Sequence, residues 1–209
     1  MLRILIADDH SVVRKGLKQI LLDEFPNAKI EEVADAEELI KKVMQGKWDV
    51  VVSDLSMPGR SGLDALQQIK LSFPDLPVLI LSIHPEEQYA LRALKAGASG
   101  YLSKDTAPDE LVKAVQKVLL GKKYISQSIA EKLANTFSSN TDKQLHENLS
   151  NREFDVMKLL ANGKSVSEIA ETLSLSVTTV STYRARVMTK MNLRSNSDLT
   201  KYAIENKLI

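Results

Sequence analysis

Five short apolar runs, at residues 2–7, 29–33, 49–53, 77–82 and 99–102, alternate with five stretches of helical period at 12–23, 36–46, 62–73, 85–96 and 108–120. The runs are near-continuous and several are rich in β-branched residues, as expected of strands buried on both faces. Pro77, Pro85 and Pro108 fall near element starts, and Gly46, Gly97 and Gly121 at stops. Strict strand-helix alternation forces right-handed crossovers, which predicts an α/β unit with a five-stranded parallel doubly wound sheet. In such a sheet the functional crevice lies at the carboxyl ends of the strands.

After Gly121 the strand pattern stops. Ser128 with Glu131 reads as a capping box opening a short helix with Ile129, Leu133 and Phe137 on one side, followed by the polar stretch Ser138 to Gln144. From Leu149 on the pattern is helical: Ser150 with Glu153 and Ser165 with Glu168 form capping boxes, Ser176 caps a third helix, and Ser195 or Asn196 a fourth. The expected organisation is therefore an α/β domain over 1–121, a linker with a short helix over 122–147, and an all-α four-helix domain over 148–209. A chain of 209 residues with 44% hydrophobic and 26% charged residues is ordinary folded material. The absence of cysteine excludes disulfides, thiolate nucleophiles and cysteine-based zinc sites. The run Met1 to Ala7 meets Asp8 too soon for a signal peptide or a membrane span, so a cytoplasmic protein with no membrane partner is expected.

The net charge of +1 conceals an uneven distribution: residues 149–209 carry 9 Lys and Arg against 6 Asp and Glu. No acidic residue lies between Glu171 and Asp198, a window holding Arg184, Arg186, Lys190 and Arg194. Such a stretch suits a polyanion, although a solvated helix face has the same composition.

Acidic residues collect where strands finish: Asp8 and Asp9 after the first, Asp54 after the third. A lone aspartate there caps the next helix, but three converging carboxylates repel one another and become tolerable around a hard divalent cation such as Mg²⁺. Ser82 follows the fourth strand and Lys104 the fifth. Together these residues supply what an aspartyl phosphate requires: Asp54 as nucleophile, a metal and Lys104 to neutralise phosphoryl oxygens, and Ser82 as hydroxyl donor.

These residues resemble the receiver domains of bacterial two-component response regulators. The resemblance spans the acidic pair Asp8-Asp9, the Asp54-Leu55-Ser56-Met57-Pro58-Gly59 loop, Gly62 opening a helix, Ser82, and Gly97 to Lys104. It implies a flavodoxin-like fold, Asp54 as phosphoacceptor, and a Mg²⁺ site made by Asp8, Asp9, Asp54 and the carbonyl of Ser56. It also implies Ser82 and Tyr101 as a switch pair acting with Lys104, and positions 56 and 84 (Ser56 and His84) as tuners of phosphoryl lifetime. Tyr101 read from sequence alone is equally an aromatic packed at a strand end. One departure is Asp105, where many receivers carry proline; without proline a cis bond costs about 3 kcal/mol, so a trans bond is expected.

Ser165 to Leu173, the turn Ser174-Leu175 and a helix from about Val177 read as helix-turn-helix, with Ile169, Leu173, Val180, Val187 and Met191 as the apolar frame. The second helix offers Thr178, Thr179, Ser181, Thr182, Arg184, Arg186 and Lys190 for the major groove of DNA, although a helical hairpin used only for packing has the same outline. Leu149 to Glu153, Leu159 to Ser165, Glu168 to Ala170 and Thr179 to Arg186 resemble the LuxR-type DNA-binding domain. Fused to a receiver, this is similar to the NarL/FixJ class. The resemblance implies that Arg152 and Glu153 hold the fold by capping and ion pairing. Ser181 and Tyr183 depart from the lysine and histidine frequent there, which shifts contacts toward Thr182, Arg184 and Arg186.

The expectation is a transcription regulator switched when a sensor histidine kinase phosphorylates Asp54 in the presence of Mg²⁺. The change acts through homodimerisation and release of the domain that binds double-stranded DNA. No enzyme activity is expected beyond the receiver's own phosphorylation and dephosphorylation. A dehalogenase-like phosphatase needs a second aspartate where Ser56 stands, and no G-x-G-x-x-G follows the first strand to support a dehydrogenase. Regulation without phosphorylation would leave the acceptor residues unexplained.

Overall fold

The apolar runs become five parallel strands, β1 (Arg3–Ala7), β2 (Lys29–Val33), β3 (Val50–Asp54), β4 (Val78–Ser82) and β5 (Gly100–Ser103), in the spatial order β2-β1-β3-β4-β5. The computed structural model describes residues 1–131 and 144–209, and the chain divides into two compact units, Met1–Ser138 and Ser139–Ile209. Every residue of β3 and β4 is buried, as their unbroken apolar sequences require. The helices of the first unit are α1 (Ser11–Glu24), α2 (Ala36–Gln45), α3 (Gly62–Ser72), α4 (Glu86–Lys95) and α5 (Ala107–Leu119). Helices α1 and α5 cover one face, closing a core of Ile4, Ile6, Leu17, Leu21, Val52, Leu79, Leu81 and Leu111. Each element lies within a few residues of its sequence-predicted position.

The two sheet edges are handled differently. β2 carries charges: Lys42 donates to Glu31 at 2.8 Å and Lys18 to Glu32 at 2.8 Å, which discourages pairing with another chain. β5 is covered from within, because Tyr124 N–H donates to the Ser99 carbonyl at 2.8 Å and bridges Gly100. Lys123 Nζ also reaches the Ala98 carbonyl at 2.6 Å, and Ile129 is buried. Residues just after α5, expected in the linker, therefore pack on the first unit. The helix over 127–131 opens at Gln127, with Ser126 Oγ accepting from Ile129 N–H at 3.3 Å, one cap earlier than the Ser128 expected from sequence. Leu133, Phe137 and all of the polar stretch except Gln144 lie outside the described residues.

The second unit begins with a 3₁₀ turn at Leu145–Asn148, followed by α6 (Asn151–Ala161), α7 (Val166–Thr172), α8 (Val177–Met191) and α9 (Asn196–Glu205). Ser150, Ser165 and Ser176 cap as their positions predict, and of Ser195 and Asn196 it is Ser195 that caps; Ser150, Ser165 and Ser195 form complete capping boxes. Asn192 ends α8 in the left-handed conformation at φ 52°. Ile169, Val180, Val187 and Met191 are buried between the helices, whereas Leu173 is only half-buried.

Gly62 illustrates how tightly the loop after β3 is folded: a Cβ there would lie 1.9 Å from the Asp54 carbonyl oxygen. Gly62→Ala should lower stability by about 3 kcal/mol, the upper end of overpacking costs. Gly16, exposed in α1 with open space around it, should respond oppositely, and Gly16→Ala should raise stability by about 0.5–1 kcal/mol. Urea unfolding of the two variants checks both signs.

Candidate functional site

The strand order reverses direction between β1 and β3, and the crevice expected at that switch point is where the predicted residues meet. Asp54, the last residue of β3, is 3% exposed, and Asp8, just past β1, is fully buried. Lys104, just past β5, places Nζ 2.8 Å from Asp54 Oδ2 and 2.7 Å from Asp8 Oδ2. Ser56 N–H donates to Asp54 Oδ1 at 3.3 Å. The Asp8 carbonyl accepts from the Arg14 guanidinium. His10 N–H donates to Asp8 Oδ1 at 2.8 Å, while its ring Nδ1 lies 2.7 Å from Asp9 Oδ1. His10 and Arg14 were missed from sequence; the imidazole directly after the acidic pair was the signal available for His10.

The charges set the chemistry. Burial pushes the Asp54 carboxyl up to about 6, the Lys104 ammonium pulls it down, and Asp8 raises it again. Burial disfavours the charge on Lys104, but the two carboxylates outweigh it and raise its pKa. One ammonium between two buried carboxylates, with Asp9 at the rim, leaves a negative deficit. The ligand atoms of Asp8, Asp9, His10 and Asp54 lie within 4.8 Å of one another. This donor set, dominated by carboxylate oxygen, fits a hard divalent cation such as Mg²⁺.

Ser82 is buried, and its Oγ accepts from His84 N–H at 3.0 Å. The Tyr101 ring is also buried, and its hydroxyl donates to the His84 carbonyl at 2.9 Å. Burial pushes the Tyr101 phenol well above its ordinary pKa, so it stays a donor. Ser56 and His84 touch each other, Oγ to Nε2 at 2.9 Å, and the His84 ring stacks on Tyr89 at 4.9 Å. All the residues named for the phosphoryl site thus gather at one end of the sheet. Among the described residues no peptide bond is cis, as expected for Lys104-Asp105.

In the second unit, α7, the turn at Ser174-Leu175 and α8 form the helix-turn-helix, closed by Leu175 N–H donating to the Ala170 carbonyl at 2.8 Å. Thr178, Ser181, Thr182 and Arg186 are exposed on α8. Three other candidates are engaged internally. Thr179 Oγ1 lies 2.7 Å from Ser176 Oγ at the cap. Arg184 donates through Nε and Nη2 to Asn196 Oδ1 at 3.2 and 3.0 Å. Lys190 Nζ lies 2.7 Å from Glu153 Oε2, the same oxygen that accepts from Ser150 N–H at 2.7 Å. Burial raises the Glu153 pKa, but Lys190 and Ser150 outweigh it and hold the carboxyl below 4.5. Sequence reasoning gave Glu153 an ion pair without its partner, and it gave Asn196 only as a possible cap, not as the acceptor for Arg184.

A parallel sheet with an acidic pocket at its switch point, on a chain that continues into a helix-turn-helix, defines a response regulator. Residues 4–116 match the response regulator receiver domain, and residues 147–203 match the bacterial regulatory proteins of the luxR family. The chain belongs to the response regulators that join a receiver domain to a LuxR-type DNA-binding domain. Its relatives include the oxygen regulatory protein NreC of Staphylococcus carnosus, 40% identical over 100% of this chain and 99% of that protein. NreC of Staphylococcus aureus strain JH9 is 38% identical over the same shares. RcsB from Salmonella enterica serovar Typhimurium, solved on promoter rprA in the presence of the phosphomimetic BeF₃⁻, aligns with a TM-score of 0.63 and 27% identity over 97% of this chain and 98% of that one. A LuxR-family response regulator from Aurantimonas sp. SI85-9A1 is 36% identical over 66% of this chain and 98% of its own, with a TM-score of 0.59. No helix among the described residues is long and apolar enough to cross a membrane.

Two outcomes follow from these charges. A folded-state pKa of about 6 against 3.8 means that Asp54 weakens the fold at neutral pH, where it is ionised in both states, and not below 3.8, where it is protonated in both. Asp54→Asn should therefore raise the metal-free melting temperature near neutral pH, with the gain fading as pH falls through 6 toward 3.8. Glu153 has the opposite sign: its depressed pKa stabilises above 4.5 and is lost as pH falls below it. Lys190→Met should cost the second unit about 1–2 kcal/mol at neutral pH, and less in acid, as measured by denaturation at several pH values.

Proposed function

We propose that this response regulator is a cytoplasmic transcription factor whose DNA binding is switched by Mg²⁺-dependent phosphorylation of Asp54 from a sensor histidine kinase. The observation that carries the reading is the Asp54–Lys104–Asp8 arrangement at 2.7 and 2.8 Å in the crevice. An Asp54 carboxylate oxygen attacks the phosphorus of a phosphohistidine or a small acyl phosphate, and the P–N or P–O bond to the donor breaks as the new P–O bond forms. Asp8, Asp9, Asp54 and the Ser56 carbonyl would hold Mg²⁺, which when bound would supply charge neutralisation for the phosphoryl oxygens. Lys104 pairs with the new dianion, and Ser82 turns its hydroxyl toward it. Tyr101, tied to the His84 carbonyl, secures the loop that Ser82 pulls. The Ser56–His84 pair stands beside the acceptor carboxylate and tunes how readily water reaches it.

The output is homodimerisation and release of the DNA-binding unit, whose α8 enters the major groove of double-stranded DNA. Thr178, Ser181, Thr182 and Arg186 make direct contacts there, while Thr179, Arg184 and Lys190 fix the helix through Ser176, Asn196 and Glu153. The domain plan supporting this reading is a receiver over 1–121, a connector over 122–147 and the DNA-binding domain over 148–209.

Sedimentation with Mg²⁺, with and without beryllofluoride, tests the switch. Wild type should pass from monomer to dimer, and Asp54→Asn should not. A wild-type chain that binds beryllofluoride yet stays monomeric would sink dimerisation as the output.

A further inference from the structure

Resting on the DNA-binding reading just given, we infer that α8 recognises its site by the C5-methyl groups of thymine, through the γ-methyls of Thr178, Thr182 and Thr189 and the β-carbon of Ala185. These four positions recur at spacings of four, three and four, which places them on one face of the helix. All four are exposed. They lie opposite the buried Val180, Val187 and Met191 that anchor α8.

The hydroxyls decide what this face offers. Thr182 Oγ1 donates to the Thr178 carbonyl, and Thr189 Oγ1 to the Ala185 carbonyl, each at 3.0 Å. A threonine bonded back to its own helix in this way has placed its one donor, which leaves the methyl and an acceptor lone pair, but no N–H or O–H, for a partner. The cations that would otherwise dominate recognition are turned elsewhere: Arg184 is held by Asn196, and Lys190 by Glu153. A helix face that presents methyls, on a helix with two of its three cations engaged, matches the apolar edge of the major groove. Only thymine carries a methyl group on that edge. The DNA class implied is a half-site whose contacted pairs are A·T, read by methyl contact, with Arg186 supplying affinity at the flank.

The test starts from the duplex that the full chain, with Mg²⁺ and beryllofluoride, enriches from a random-sequence pool. That duplex is then remade with deoxyuridine in place of each thymidine in turn, which removes only the methyl. Substitution at a contacted thymidine should weaken binding about fourfold, the share of one buried methyl group. Thr182→Val, which keeps a γ-methyl, should bind like wild type. Thr182→Ser, which keeps the hydroxyl, should lose about fourfold on thymidine duplex and nothing further on the duplex lacking the partner methyl. Unchanged affinity on every deoxyuridine duplex overturns the inference, as does equal loss in Thr182→Val and Thr182→Ser. Failure to enrich any duplex overturns the DNA-binding reading itself, and so the two failures are told apart.

Discussion

The contact on which the first unit turns is one ammonium shared by two buried carboxylates. Lys104 reaches Asp8 and Asp54 at 2.7 and 2.8 Å inside the crevice where the sheet changes direction. Neither carboxylate could be buried so deeply alone, since an unpaired charge in the interior costs several kcal/mol. Yet one cation does not balance two anions, and burial, with a smaller push from Asp8, still holds the Asp54 pKa up at about 6. The topology brings these groups together: the order β2-β1-β3-β4-β5 puts the end of β1 beside the end of β3, and Lys104, just past β5, closes the pocket. Gly62 belongs to the same constraint, because the loop after β3 must pass so close to the Asp54 carbonyl that a methyl group does not fit.

Much of this was legible in the sequence for a physical reason. Strands buried on both faces cannot carry polar residues except at their ends, so β3 and β4 announce themselves as Val50-Val51-Val52 and Val78-Leu79-Ile80-Leu81. Polar residues at those ends, Asp54 and Ser82, are then conspicuous. Caps were equally legible, because a hydroxyl bonding three residues ahead is a local event, and Ser150, Ser165, Ser176 and Ser195 needed no knowledge of the fold.

What was not legible depends on distance along the chain. Lys190 and Glu153 are 37 residues apart, and no periodicity reveals that one neutralises the other. Arg184 reads as a DNA ligand, and nothing local reveals that Asn196, 12 residues away, also accepts two of its N–H groups. The connector was misjudged in a related way. Composition makes Lys122 to Ser126 look like exposed linker, but the open edge of β5 leaves backbone groups unsatisfied, and Tyr124 fills one of them at the Ser99 carbonyl. Gly100 permits that approach, since a Cβ there would lie 2.7 Å from the Tyr124 oxygen.

The two units therefore hold opposite kinds of readiness. In the second, many polar groups are spent internally: α8 has Arg184 and Lys190 engaged and two of its threonine hydroxyls bonded to its own backbone, which favours a rigid helix with a fixed outward surface. In the first, the pocket is short of positive charge even before any modification. A phosphoryl group on Asp54 would add about 1.5–2 negative charges where one ammonium already serves two carboxylates. Lys104 already serves both carboxylates, so compensation beyond what it gives would come from a cation among the carboxylates and from donors that can move. The nearest such donor on a strand end is Ser82, whose loop is tied through the His84 backbone to the Tyr101 hydroxyl. A turn of Ser82 Oγ toward such a charge would break the hydrogen bond it accepts from His84 N–H. The burial and the neighbouring Asp8 carboxylate that raise the Asp54 pKa thus leave this end of the sheet short of positive charge.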